Sequence, residues 1–134
     1  AVELWEAAKN KLWTDIEFAV KNNTFSAHRA ILAARSPMFT ALQTEAGSRI
    51  KIDHVEPPTF YSFLRFVYKG IFRLKPGTSI EDLLHLAEKY QIQTLRTLCE
   101  TCMQDIDANQ LTAFAMAVKP DFELFMKKPQ ADNK

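Results

Sequence analysis

"FSAHRAILAARSPMF", Phe25 to Phe39, sets a His-Arg pair at the head of a small-residue apolar run and closes it with Ser-Pro. The alanines with Ile31 and Leu32 favour helix over residues 28–35, and their small side chains allow close packing against a neighbour. Ser36 is a preferred N-cap and Pro37 suits a first helical position, so a second short helix is expected there, carrying Met38, Phe39 and Leu42. Basic residues at a helix start oppose the positive end of its dipole. His28 and Arg29 therefore need an acceptor or a structural role supplied from elsewhere in the chain.

Upstream, "DIEFAV" alternates polar Asp15, Glu17 with apolar Ile16, Phe18 and Val20, the period of a half-buried strand. Residues 21–24 supply turn chemistry and "TFSA" returns as a second strand, which makes a hairpin leading into the helix. Before it, Leu4, Trp5, Ala8 and Leu12 recur at helical spacing and predict a short amphipathic helix whose apolar side needs cover. Downstream, "TEAGS" reads as a loop and "RIKI" as a short third strand with Ile50 and Ile52 on one face. "EPPTFYSFLRFVYKG" predicts a helix with Phe60, Phe63, Leu64 and Val67 in one stripe and Gly70 as its stop. "IFRL" is expected as a brief edge strand, and Ser79 with Asp82 resembles a capping box opening "IEDLLHLAEKY". Residues 94–106 predict another helix with Leu95, Leu98, Cys99 and Cys102 buried, and Asp107 with Gln110 a last one through Val118. Residues 119–134 read as a C-terminal extension with a frayed end, leaving residues 1–118 as one domain.

A length of 134 residues and a 47% hydrophobic share are enough to close a single core. Seventeen Lys and Arg against sixteen Asp and Glu leave a net charge of +1, which supplies no field for drawing in nucleic acid or an anionic membrane. No apolar run approaches the roughly 20 residues that span a bilayer. "AVELWEAAKNK" lacks the basic-then-apolar order of a secretory signal, and two cysteines three residues apart do not make a disulfide scaffold. The expectation is an intracellular protein of the cytoplasm or nucleus.

Catalytic and metal chemistry find little to stand on. Cys99-x-x-Cys102 has no second pair to complete a zinc site, and it falls mid-helix, away from the N-terminal dipole that would activate a redox thiol. Both cysteines are read as small buried hydrophobes. His28, His54 and His85 show no HExxH spacing, and no GxSxG or Gly-rich phosphate loop occurs. A triad of Ser26, His28 and Asp15 is weighed against a structural His28 that hydrogen-bonds backbone at the strand-to-helix corner, and the structural role is preferred. The aromatics of "FYSFLRFVYKGIFRLK" lie on a stripe that a core claims before a nucleic acid does. No enzyme, cofactor or metal is expected.

The order hairpin, "FSAHRAILAARSPMF", strand, "VEPPTF", "FVYKG" and "LLHLAEKY" resembles the BTB/POZ domain family from about Leu4 to Ile106. The lead-in "LWEAAKNKLWTDIEF" is similar to that of the speckle-type MATH-BTB group. The resemblance implies an α+β fold, a small mixed sheet capped by a cluster of helical hairpins, and a non-catalytic protein-interaction module that forms homodimers. It implies an Asp15–Arg29 pair near the dimer contact, and an N-terminal helix that lays Leu4, Trp5 and Leu12 across the partner. The alternative is a helix folded back on its own core. The resemblance further implies the substrate adaptor of a cullin-three ubiquitin ligase, with Met38, Leu42, Gln43 and Glu45 as the cullin contact. Here the chain departs from the pattern: Gln43 stands where the hydrophobic-x-Glu motif has an apolar residue, Glu45 is in place, and the loop is short. Loss of one buried apolar anchor removes roughly 1–3 kcal/mol, about ten- to hundredfold in affinity, unless Leu42 or Met38 substitutes. The alternative function is an oligomerisation or scaffold domain of a signalling, trafficking or transcription-repression protein that does not bind cullin.

Overall fold

The computed structural model describes residues 3–44 and 49–104. Trp5, Ala7 and Ala8 form the buried side of a first short helix, α1 (Leu4–Lys9). The alternation around Phe18 becomes β1 (Ile16–Val20), buried at every second residue, and it turns through Lys21 and Asn22 into antiparallel β2 (Asn23–Ala27). The turn is tight because Lys21 adopts a left-handed φ of 54°. From β2 the chain enters α2 (Arg29–Arg35) and then a 3₁₀ segment (Pro37–Thr44). It returns as β3 (Arg49–Ile52), parallel to β1, so the mixed sheet has the order β2-β1-β3.

α3 (Pro57–Lys69) passes through the middle of the helical layer. The predicted stripe of Phe60, Phe63, Leu64 and Val67 is buried, and so are Phe66 and Tyr68, because α3 packs against α1, α2 and a later helix at once. Its Phe60 ring lies 5.1 Å from Phe18 and 5.2 Å from Phe25, which ties the helix to the sheet. Pro57 stands at its start, and Gly70 ends it in the left-handed conformation with φ 69°, its N–H donating to the Phe66 carbonyl. α4 (Ile80–Lys89) and α5 (Gln93–Met103) close the core as a helical hairpin, with Leu83, Leu95 and Leu98 fully buried.

The architecture is the expected α+β one, with three local differences. The helix after Ser36 is 3₁₀ rather than α: the Ser36 hydroxyl donates to the Tyr90 carbonyl and accepts from the Met38 N–H at 3.2 Å. This pins the start of the segment to the end of α4. "IFRL" is not a strand. The Arg73 carbonyl is taken by the Arg65 guanidinium and the Lys75 N–H donates to Ser62 Oγ at 2.9 Å, so side chains of α3 satisfy backbone that a strand partner would have engaged. The capping box is half made: Asp82 N–H donates to Ser79 Oγ at 3.2 Å, but the Ser79 N–H goes to Thr59 Oγ1 at 2.8 Å. The expected helix at 107–118 and the extension at 119–134 lie outside the described residues.

Candidate interaction surface

Trp5 anchors the N-terminal helix. Its ring meets Tyr61 edge-on at 5.4 Å and Tyr68 at 5.5 Å, and it is only 4% exposed. Trp5 is therefore a residue of this chain's own core, and its placement matches the alternative in which α1 folds back. Leu4 and Leu12 stay at the surface, 55% and 39% exposed. Sequence reasoning passed over a third apolar residue there: Trp13 is 76% exposed. The signal for it was an aromatic lying off both the helical stripe of α1 and the alternation of β1.

The loop that presents Trp13 is built with care. Lys11 and Trp13 both take left-handed backbone, φ 58° and 60°, a conformation that costs a non-glycine residue roughly 1–2 kcal/mol. Two hydrogen bonds hold the Leu12 peptide between them. The Leu12 N–H donates to the Ala7 carbonyl at 2.8 Å, and the Leu12 carbonyl accepts from His28 Nε2 at 2.8 Å.

A carbonyl only accepts, so Nε2 carries the proton and, in the neutral ring, Nδ1 is the acceptor. The Tyr68 hydroxyl fills that role as donor at 2.6 Å while accepting the His28 backbone N–H at 2.9 Å. Burial pushes the Tyr68 phenol up to about 12, against a lowering by the His28 N–H and a further raising by the Asp15 charge. His28 thus takes the structural role at the strand-to-helix corner. Asp15 and Arg29 also meet, through the backbone: Asp15 Oδ1 accepts the Arg29 N–H at 2.8 Å. A carboxylate at the first turn of α2 favours the positive end of its dipole, the compensation that the basic helix head required.

The second surface lies on the 3₁₀ segment. Phe39 turns inward and stacks on Tyr90 with centroids 4.5 Å apart and planes 10° from parallel, whereas Met38 is 44% exposed. Leu42 and Gln43 belong to the same segment, and Glu45 lies outside the described residues. The cysteines sit on α5 as free thiols, Cys99 buried and Cys102 half-buried. Burial, with smaller contributions from Cys102 and Glu100, pushes Cys99 up to about 12, and burial also raises Cys102. A redox thiol needs the opposite shift. Among the described residues no cluster of His, Cys, Asp and Glu is placed to hold a metal ion, and no helix is long and apolar enough to cross a membrane.

The BTB/POZ domain family model matches residues 4–107. Mouse TD and POZ domain-containing protein 5 is 36% identical over 107 residues, covering 75% of this chain and 31% of that protein. Mouse TD and POZ domain-containing protein 1 is 37% identical over 107 residues, covering 75% of this chain and 28% of the relative. The chain thus spans less than a third of the curated relatives it matches. Among solved structures, the BTB domain of zebrafish PATZ1 superposes with a TM-score of 0.66 at 21% identity, over 77% of this chain and 86% of that one.

Proposed function

Because the chain belongs to the BTB/POZ domain family, whose domains are protein–protein interaction modules, we propose that it is a non-catalytic homodimerisation and adaptor domain, serving a cullin-three ubiquitin ligase inside the cell. The observation that carries self-association is the apolar N-terminal surface. Of the five large apolar side chains strongly exposed among the described residues, Leu4, Leu12 and Trp13 fall within the first segment. Trp13 is held outward by a loop that accepts two left-handed residues to do so. An indole left in water at that conformational cost argues for a covering partner, and a second copy of this chain is the occupant proposed.

The adaptor reading is supported by exposed Met38 on the 3₁₀ segment, beside the place where the family's cullin motif falls. Gln43 at the apolar position of that motif favours a second reading, a scaffold domain that dimerises without cullin. Light scattering of the purified chain, alone and with a cullin-three N-terminal domain, separates the two. A dimer whose mass rises on adding cullin supports the adaptor. A dimer that ignores cullin leaves the scaffold, and a monomer at high micromolar concentration overturns self-association altogether.

A further inference from the structure

Between α1, β2 and α3 lies an open cavity of about 150 Å³, floored by Trp5, Phe25 and Leu64 and walled by Tyr61. That volume suits one apolar side chain. Its surroundings are cationic. Lys11 lines the cavity, Lys75 Nζ stands 3.9 Å from the centroid of the Tyr61 ring, and the Arg65 guanidinium lies 5.3 Å from the same ring.

Among the described residues no carboxylate forms an ion pair with Lys11, Arg65 or Lys75. Lys9, which also lines the cavity, is answered by Glu6 at 3.1 Å. The Arg65 guanidinium turns to the Arg73 carbonyl, a neutral acceptor. Attraction to the Tyr61 ring holds Lys75 and Arg65 in place without neutralising either charge. Burial lowers the Arg65 pKa, against a raising by Tyr61, and burial followed by the nearby Arg65 charge lowers that of Arg73. In a chain of net charge +1, such a concentration of cations is local.

We propose that this cavity docks an acidic peptide segment of another protein, one apolar side chain seated between Trp5, Phe25 and Tyr61 and flanking carboxylates meeting Lys11, Arg65 and Lys75. The complementarity is twofold: the apolar floor gains from excluding water, and Lys11 on the lining, with Lys75 and Arg65 at the Tyr61 ring, supplies the opposite charge that steers and orients the segment. The surface uses neither the exposed Leu4, Leu12 and Trp13 nor the Met38 segment, so it goes beyond self-association and cullin contact.

The test is a display library of random dodecapeptides panned against the full 134-residue chain, followed by NMR titration of the enriched peptide and light scattering of the protein. Enrichment of peptides with one apolar residue between acidic ones, a shift of the Trp5 indole N–H, and about tenfold weaker binding to Lys11→Glu/Lys75→Glu are the expected results. Both lysines are exposed, and an unchanged melting temperature and mass keep the outcome separate from folding and from dimerisation. Lys75→Gln serves as the milder second variant, with binding reduced in the same direction. Failure to enrich acidic peptides, binding indifferent to the charge reversal, or shifts confined to Leu12 and Trp13 would overturn the proposal. So would binding to phosphatidylserine vesicles that depends on the same lysines while no acidic peptide is enriched, since the occupant would then be a membrane.

Discussion

His28 joins three pieces of chain through one ring: the Leu12 carbonyl, the Tyr68 hydroxyl and its own helix start. The sequence placed His28 at a strand-to-helix corner, because the hairpin and the alanine run meet there. Its partners were not legible, since Leu12 and Tyr68 lie 16 and 40 residues away. Tyr68→Phe keeps the buried ring but leaves the His28 N–H and Nδ1 without that oxygen, and is expected to cost about 1–3 kcal/mol in urea unfolding. An unchanged midpoint would show that water replaces the hydroxyl. Alkaline pH acts on the same buried groups. The Cys99 thiol and the Tyr68 phenol rise from ordinary values of 9.0 and 10.0 to about 12, so the folded state binds these protons more tightly than the unfolded chain. Their contribution is complete below pH 9.0, where the unfolded thiol is still protonated, and is lost as pH rises towards about 12. Stability should therefore fall as pH rises from 9.0 towards about 12, and Cys99→Ala, less stable at neutral pH, should show a shallower alkaline decline. Parallel declines would remove Cys99 as the source.

Elements with strong local signals were read correctly, and those defined by their neighbours were not. α3 carries Pro57 at one end, a buried stripe, and Gly70 at the other, so its limits follow from backbone chemistry alone. Gly70→Ala forces a Cβ into the left-handed region and should lower stability by about 1–2 kcal/mol, measured by denaturant midpoint. A loss near zero would mean that the end of α3 rearranges freely. The 3₁₀ segment and "IFRL" are different cases. In each, a side chain bonds backbone from another part of the chain: Ser36 to the Tyr90 carbonyl, and Arg65 and Ser62 to the backbone of Arg73 and Lys75. Ser36→Ala removes both the cap on Met38 and the tie to Tyr90, and should cost about 1–2 kcal/mol. If the first bond matters little, hydrogen exchange at the Met38 amide will not quicken in the variant.

At the scale of the whole molecule, the question is which apolar side chains belong to the core and which are left for the proposed self-association. Trp5 is buried between Tyr61 and Tyr68, so Trp5→Ala should destabilise the fold by about 3–5 kcal/mol. Leu12 and Trp13 are exposed, so changing both to Ala should leave the melting curve of a diluted sample nearly unchanged while light scattering moves from dimer to monomer. If the double variant stays dimeric, the interface lies elsewhere on the surface. The contrast between the two experiments comes from tertiary placement, because Trp5 and Leu12 share one helical stripe in the sequence.

Periodicity and backbone chemistry sufficed for the α+β class, the hairpin and the buried face of α3. Those features arise from residues within a few positions of one another, where the periods of helix and strand apply. Tertiary structure alone decided that Trp5 faces inward and Trp13 outward, that Asp15 meets the Arg29 backbone, and that Lys11 lines a cavity with Tyr61 while Lys75 comes over the Tyr61 ring. The reason is physical: each depends on which elements meet, α1 against α3 and β2 for Trp5, the β1–β2 hairpin against the start of α2 for Asp15, and the chain after α3 folding back on it for Lys75, and no local period records that.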